Sequence, residues 1–420
     1  MKRTKTIMFV GAGPEMVPGI LWAREMGLRV VATDINPRAA GFEYVDDYAI
    51  ASTRDAQANV AAARRWHGEG RLNGVMTLAA DVPYTVAMVA AEFGLPGLSP
   101  EVARTAQDKL LMKLRLRERG VPLPRFAAAK TLGEARRAAE QVGYPLVVKP
   151  VNRSGARGVS LVDGAAGLTE AVDWARAHSE GSDTLLLEEY LRGPQVSTET
   201  LAYNGVCYTT GFADRNYEHN GSFYPYFIED GHTIPSALGD AEQGALKDVA
   251  ERAVSALGID CGVGKGDLVL TPEGPKVIEI AARLSGGRFS TDTVPMASGI
   301  NVVKAVIRMS VGEPVKVSEL RPKWHRAAAQ RYLFPAPGRV TRIVRPDGES
   351  KPDWLTRIEL YVEPGMEIGP VTNHTQRAGY VITAGETREE AVRRAQWARA
   401  QTRIYTEPVE QVAAGTGEAG

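Results

Sequence analysis

The 420 residues carry 50 Lys and Arg against 50 Asp and Glu, so the formal net charge is zero and charge gives nucleic-acid binding no support. At about 150 residues per domain, the length predicts two to four domains with ample core. The two cysteines, Cys207 and Cys261, lie far apart without partners at metal spacing, as in a reduced cytosolic protein, and no stretch is apolar enough to span a bilayer.

The opening MKRTKTIMFVGAG is basic and then apolar, but the apolar run is too short for a signal peptide and leads into a strand and turn. A soluble, cytoplasmic protein is expected. Thr6–Val10 reads as a strand ending in Gly11-Ala12-Gly13-Pro14, followed by a helix to Gly27 and a second strand ending on Asp34. This is the pattern of a Rossmann-like half. GAGPEM meets the dinucleotide fingerprint at its first two glycines, with Met16 in place of the third and Asp34 where a ribose-binding acid sits. A tight turn opening a parallel sheet is the favoured reading, and a bound NAD is the alternative.

Residues 75–77 continue that sheet, and helical segments follow around 86–93 and 100–120, the second carrying Lys109 and the basic run LLMKLRLRERG. Most of those charges read as a solvated helix face. A helix over 132–142 leads into a strand over 146–150, where Lys149 stands among apolar residues and demands a counter-charge. Residues 152–160, NRSGARGVS, follow at once; Ser154, Gly155 and Gly158 let backbone N–H groups approach an anion closely, though no Walker sequence closes the loop. LLLEEYL at 185–191 is a buried strand breaking into Glu188 and Glu189, acids that could equally face water.

Arg215 and the aromatic run 223–227 read as a substrate-facing loop, and His232 as a residue with either a packing or a chemical role. A helix over 241–257 leads into DLVLTPEGPKVIEIAARLSGGR, read as a hairpin of strands 267–270 and 276–280 around a Pro-Glu-Gly turn. Antiparallel pairing brings the carboxylates of Asp267 and Glu279 together, where they repel unless a cation lies between them. Mg²⁺, which takes a few carboxylate oxygens plus nucleotide phosphates, suits such a pair; so does a plain surface hairpin with two solvated acids. Arg283 and the run Ser285, Gly286, Gly287 and Arg288 then offer guanidinium and N–H donors to phosphate or carboxylate oxygens. From residue 326 the texture changes to short strands with Pro/Gly turns and one closing helix. The tail 411–420 is expected to be disordered.

Together Lys109, Lys149, the 152–160 loop, Glu188 to Leu191 and Asp267…Glu279…Arg283 resemble the ATP-grasp superfamily, closest in pattern to the carboxylate-amine (L-amino acid type) ligases. The resemblance implies an α/β and α+β multidomain fold with the tripartite plan of biotin carboxylase. A Rossmann-like domain would occupy 1–98, an ATP-grasp body 99–312 with a mobile lid at about 126–200, and a small β-rich domain 326–410. It further implies Lys109 and Lys149 on ATP phosphates beneath the glycine loop. Glu188 and Glu189 would lie at the adenine with Leu191 against the ring, and Gln195 where a ribose-binding acid is usual. Asp267 and Glu279 would hold Mg²⁺, or Mn²⁺ in its place.

Ala281 stands where the family motif has an Asn ligand, which leaves the number of metal ions open. Arg283 would neutralise the transferring phosphoryl group and Arg288 a substrate carboxylate, with Arg215, His232 and the 285–287 turn as further substrate contacts. The implied reaction is ATP-dependent amide formation through an acylphosphate, releasing ADP and phosphate. The alternatives are a bicarbonate-using carboxylase and a nucleotide-sensing protein without turnover. The implied partners are a small carboxylic acid and an amine, with no nucleic acid and no membrane, and a homodimer is expected. Which acid and amine are joined is not written in any stretch.

Overall fold

The computed structural model of the protein describes residues 4–70 and 72–409. Strands β1 (Thr6–Val10), β2 (Arg29–Asp34), β3 (Asp47–Ile50) and β4 (Leu72–Met76) form a parallel sheet in the order β3-β2-β1-β4, with helices α1 (Val17–Glu25) and α2 (Ala56–Gly70) between them. β1 is buried on both faces: Ile7 and Phe9 pack with Ile20 of α1, while Met8 and Val10 pack with Val60 and Trp66 of α2. That is why it reads as an unbroken apolar run. At its end Asp34 closes the turn, accepting the Ala12 amide at 2.9 Å on one oxygen and the Asn36 amide at 2.9 Å on the other. Met16 is buried beneath Gly11, filling the space that a third glycine would leave open.

After α3 (Pro83–Glu92), the segment expected as one helix is two, α4 (Pro100–Gln107) and α5 (Lys109–Glu118). Asp108 leaves helical geometry and accepts the Leu110 and Leu111 amides at 2.9 and 3.0 Å, capping the second helix. Lys109 is therefore the first residue of α5.

Strands β5 (Phe126–Ala129), β6 (Leu146–Pro150), β7 (Ser160–Val162) and β8 (Leu185–Glu189) form an antiparallel sheet, β5-β8-β6-β7, with α6 (Leu132–Val142) and α7 (Leu168–Ala177) on one face. Leu146, Val148, Leu185 and Leu187 point into the helix-side core. The two-residue period then sends Val147, Lys149 and Glu188 to the other face, which borders a cleft.

The connection out of this sheet lies directly on a neighbouring strand. Gly193 has φ +140°, and a Cβ there would sit 2.0 Å from the Leu270 carbonyl oxygen. Gly193→Ala is expected to cost about 1–3 kcal/mol, read as a lower urea midpoint with an unchanged slope. An unchanged midpoint would contradict the close approach.

The remainder contributes β9 (Gln195–Tyr203), β10 (Val206–Asn216), β11 (Gly231–Ile234), α8 (Asp240–Ala256), β12 (Gly262–Thr271), β13 (Gly274–Ala281), α9 (Val294–Ser298) and α10 (Val302–Ser310). Then follow β14 (Ala327–Leu333), β15 (Gly338–Val344), β16 (Leu355–Leu360), β17 (Glu367–Ile368), β18 (Gly379–Gly385), α11 (Arg388–Gln401) and β19 (Arg403–Glu407). Eight of these strands make one sheet, β13-β12-β9-β10-β11-β14-β18-β16, and β17-β15-β19 a smaller one. The pairing of β11 with β14, from Gly231↔Arg331 to Ile234↔Ala328, carries the central sheet straight into the C-terminal strands. α8 covers one face with Leu246, Val249 and Ala253, and α10 reaches back to pack Val302, Val306 and Ile307 against the first sheet.

Several expectations are corrected. Arg215 lies in β10 and His232 in β11, where a loop was expected for each. Asp267 stands in the middle of β12, since that strand begins at Gly262. The expected disordered tail, 411–420, lies outside the described residues.

Candidate active site

A cleft of about 670 Å³ lies between the β5–β8 sheet, the central sheet, the turn after β1 and the C-terminal strands. The β12–β13 hairpin forms part of its lining. The pairing sets Asp267 opposite Glu279, but the next pair is Leu268 with Val277, so Ile278 is an extra residue in a β-bulge. Val277 and Ile280 pack into the core under α8, while the bulge turns both Ile278 and Glu279 toward the cleft.

Asp267 accepts from Ser197 Oγ at 2.8 Å, lies 3.3 Å from Arg215 Nη1 and is ion-paired with Lys265. Burial would raise its pKa, but Arg215 and Lys265 override that and hold it well below the carboxylate range. Glu279 pairs with Lys109 Nζ at 2.9 Å; burial works against its charge, and Lys109 and Lys149 prevail, so its pKa too is lowered. Both carboxylates stay ionised at neutral pH, the state a metal ligand requires. The donor set fits a divalent ion. Ala281 contributes no oxygen, and no group of three or more His, Cys, Asp or Glu side chains among the described residues is placed to cage a metal alone. Phosphate oxygens and water would complete the shell.

Lys109 ties this hairpin to the glycine loop. Its Nζ donates to the Arg153 carbonyl at 2.6 Å and its backbone N–H to the Val151 carbonyl at 2.9 Å. Burial depresses its pKa, yet Glu279 and Asp81 raise it further, leaving it above the ordinary value. Lys149, on the cleft face of β6, pairs at 2.8 Å with Glu188 on β8, and Lys113, one turn after Lys109 on α5, reaches the same oxygen at 3.2 Å. Burial pushes the Lys113 ammonium down to about 8 against the pull of Glu188.

Glu189 accepts the Arg125 amide at 3.1 Å, and Tyr190, Leu191 and Gln195 line the wall beyond it. In the glycine loop Gly155, Ala156 and Gly158 have φ of +68°, +60° and +73°, and the Gly155 carbonyl accepts the His374 amide at 2.9 Å. Ser154 accepts from Arg157 Nη2 at 3.1 Å. Gly158 does not line the cleft; it packs where a Cβ would meet Pro150 and His178 at 2.9 and 2.8 Å.

The cleft lining carries a further group of charges. Arg288, at φ +63° and buried, donates to Tyr380 Oη at 2.9 Å and faces Glu15 and Glu359 at 3.6 and 3.9 Å. Arg283 lies 3.7 Å from Asp81. Arg215 donates through Nε and Nη2 to Glu229 at 3.0 and 2.8 Å; burial opposes the Glu229 charge, but Arg215 and Arg377 hold its pKa down at about 2. Arg377 lies 3.7 Å over the Tyr332 ring. His232 is buried, its Nε2 at 2.8 Å from Thr293 Oγ1 and its ring edge-on to Phe289, and burial brings its pKa down to about 4. It is neutral near pH 7.

Apart from Gly158, every site residue singled out from the sequence lines this one cleft, Ser285, Gly286 and Gly287 among them. The reading missed Lys113, Glu229, Tyr332 and Arg377. Only Lys113 carried a signal: it lies four residues after Lys109, on the same helix face.

Residues 106–287 match the family model of the ATP-grasp domain. This chain carries an ATP-grasp domain. Residues 331–407 match a second model, the L-amino acid ligase C-terminal domain 2, so the C-terminal continuation of the sheet has a family of its own. The fold is similar over 97% of this chain and 100% of the other to a crystal structure of L-amino acid ligase from Bacillus licheniformis, with a TM-score of 0.82 and 25% identity. D-alanine–D-alanine ligase of Pseudomonas fluorescens is 28% identical over 237 residues, 55% of this chain and 65% of that protein. Carnosine synthase 1 of Gallus gallus is 27% identical over 336 residues, 74% of this chain and 35% of that protein. The chain thus spans about two thirds of the first of these relatives and about a third of the second. In the ATP-grasp domain matched here, the hairpin, Lys109, Lys149 and the glycine loop all fall within the matched residues. No helix among the described residues is long and apolar enough to cross a membrane.

Proposed function

We propose that this protein is an ATP-dependent carboxylate–amine ligase that forms an amide or peptide bond through an acylphosphate, releasing ADP and phosphate. The observation that carries this reading is that a single cleft brings together Lys109, Lys149 and the glycine loop, the paired carboxylates of Asp267 and Glu279, and the charged set Arg283, Arg288, Arg215, Glu229 and Arg377. A nucleotide and an organic acid can therefore meet at the paired carboxylates.

The chemical obstacle is that a carboxylate oxygen must attack an anionic γ-phosphorus. Lys109 and Lys149 would hold the phosphates and spread their charge, and Arg283 would neutralise the phosphoryl group in flight. A divalent ion held by Asp267 and Glu279 would supply further screening between the two anions. ADP then leaves, the amine attacks the acylphosphate carbonyl, and phosphate departs. The glycine loop resting on His374 keeps water from a mixed anhydride that would otherwise hydrolyse. Arg288 would orient a second carboxylate borne by the substrate. The L-amino acid, D-alanine and carnosine names of the similar proteins support small amino acids as the class to try first.

The test is ADP release with Mg²⁺-ATP against pooled carboxylic acids and amines, with bicarbonate as a separate arm and mass spectrometry of the products. Release that requires both an acid and an amine, with a product lighter than their sum by one water, is the expected result. Release with bicarbonate and indifference to amines would replace the ligase with a carboxylase.

A further inference from the structure

The run Ser285 to Arg288 is short, rich in glycine and forced into left-handed geometry at Gly287 and Arg288, with φ of +61° and +63°. Such a segment does not hold its shape unaided. Beneath it stands Glu199, fully buried in β9 and outside the lining of the cleft. One carboxylate oxygen accepts the Ser285 amide at 3.1 Å, and the other is hydrogen-bonded to Ser290 Oγ. Ser290 Oγ also lies 3.0 Å from the Ser285 carbonyl, so carboxyl, hydroxyl and carbonyl form a chain across the base of the loop. The room for this side chain is made on β10, where a Cβ at Gly211 would meet Glu199 Cβ at 3.1 Å and Phe289 at 2.9 Å.

We propose that Glu199 is a positioning residue: with Ser290 it pins the Ser285–Arg288 loop so that Arg283 and Arg288 face the reacting groups. Its side chain holds the loop by hydrogen bonds in either protonation state. Ionised, it accepts from Ser290; neutral, it donates to Ser290, which donates to the Ser285 carbonyl. Burial raises its pKa to about 7, consistent with a neutral acid serving as well as an anion. An amide should therefore replace it.

The catalytic consequence rests on the ligase reading; the loop anchoring does not. The test takes Glu199→Ala, Glu199→Gln and Ser290→Ala in the full chain and reads two quantities. By hydrogen exchange, the amides of 285–288 are expected to exchange at least tenfold faster in Glu199→Ala and Ser290→Ala, with protection restored in Glu199→Gln. In ADP release with an active acid and amine, kcat is expected to fall tenfold or more with KM for ATP within twofold of wild type, and Gln again rescues. Unchanged exchange, or a Gln variant as impaired as Ala, overturns the proposal, as does a KM for ATP rising in step with the loss of kcat. Should Glu199→Ala fail to fold, Ser290→Ala decides on the same criteria. Altered exchange with no active acid and amine pair would reject the ligase reading and leave the anchoring standing.

Discussion

Glu279→Gln is expected to leave the fold intact and to lower Mg²⁺-dependent ADP release by about two to three orders of magnitude. Two magnitudes separate structure from chemistry here. The Glu279 side chain is 26% exposed but its partner Lys109 only 7%, so weakening this half-buried pair costs about 1–2 kcal/mol of stability. Gln keeps an oxygen for Lys109, and Asp81 and Glu188 remain nearby to balance its charge. Removing one charge from the transition-state electrostatics costs far more, about 3–4 kcal/mol. The check is ADP release beside thermal unfolding of both proteins. Near-normal turnover would remove Glu279 from the metal site, and a collapse in melting temperature would show its role to be structural.

Glu188→Leu is expected to act in the opposite manner, on stability first. Glu188 is almost completely buried and is the shared counter-ion of Lys149 at 2.8 Å and Lys113 at 3.2 Å. Without it two ammonium groups face each other out of water, a loss of about 3–5 kcal/mol for breaking such a buried arrangement. Lys113 can escape part of this by giving up its proton. Its folded pKa, near 8, is already below the ordinary lysine value of 10.5, so the stability held above 10.5 is lost as pH falls through 8. In the variant that loss runs on to a lower pH, because without Glu188 the folded-state pKa of Lys113 falls further. The stability gap between wild type and Glu188→Leu should therefore narrow as pH rises from 7 to 9, measured by urea unfolding at each pH. A gap that is constant, or below about 1 kcal/mol, would show that Glu188 is not the counter-ion that holds Lys113 and Lys149 together.

The hairpin was legible because its signals are local: the turn chemistry fixes where the strands meet, and the meeting sets Asp267 opposite Glu279. The bulge at Ile278 was not, since nothing in VIEI says which strand carries the extra residue. Yet the bulge is what turns Glu279 to the cleft. Lys149 stood out as a charge among apolar residues and Glu188 as an acid at a strand end that could equally face water, whereas Lys113 was read as part of a solvated basic face. Its burial depends on Glu188 of β8, Phe126 of β5 and the Val277 carbonyl of β13, contacts between distant segments. The same holds for Glu229, Arg377 and Tyr332, which come from the end of a loop, a turn and a strand and meet only because β11 pairs with β14. Three of the C-terminal strands also extend the central sheet, a long-range pairing that no local signal announces. The family resemblance read from residues 109 to 283 agrees with the ATP-grasp domain matched over 106–287.

The most direct test of the account is the fate of oxygen from the acid. An active carboxylic acid labelled with ¹⁸O in both carboxylate oxygens would be turned over with ATP and the amine, and the released phosphate analysed by mass spectrometry. An acylphosphate requires one labelled oxygen to leave with each phosphate while the other stays in the amide carbonyl. Phosphate free of label, with the label in AMP or retained in full by the acid, would contradict it.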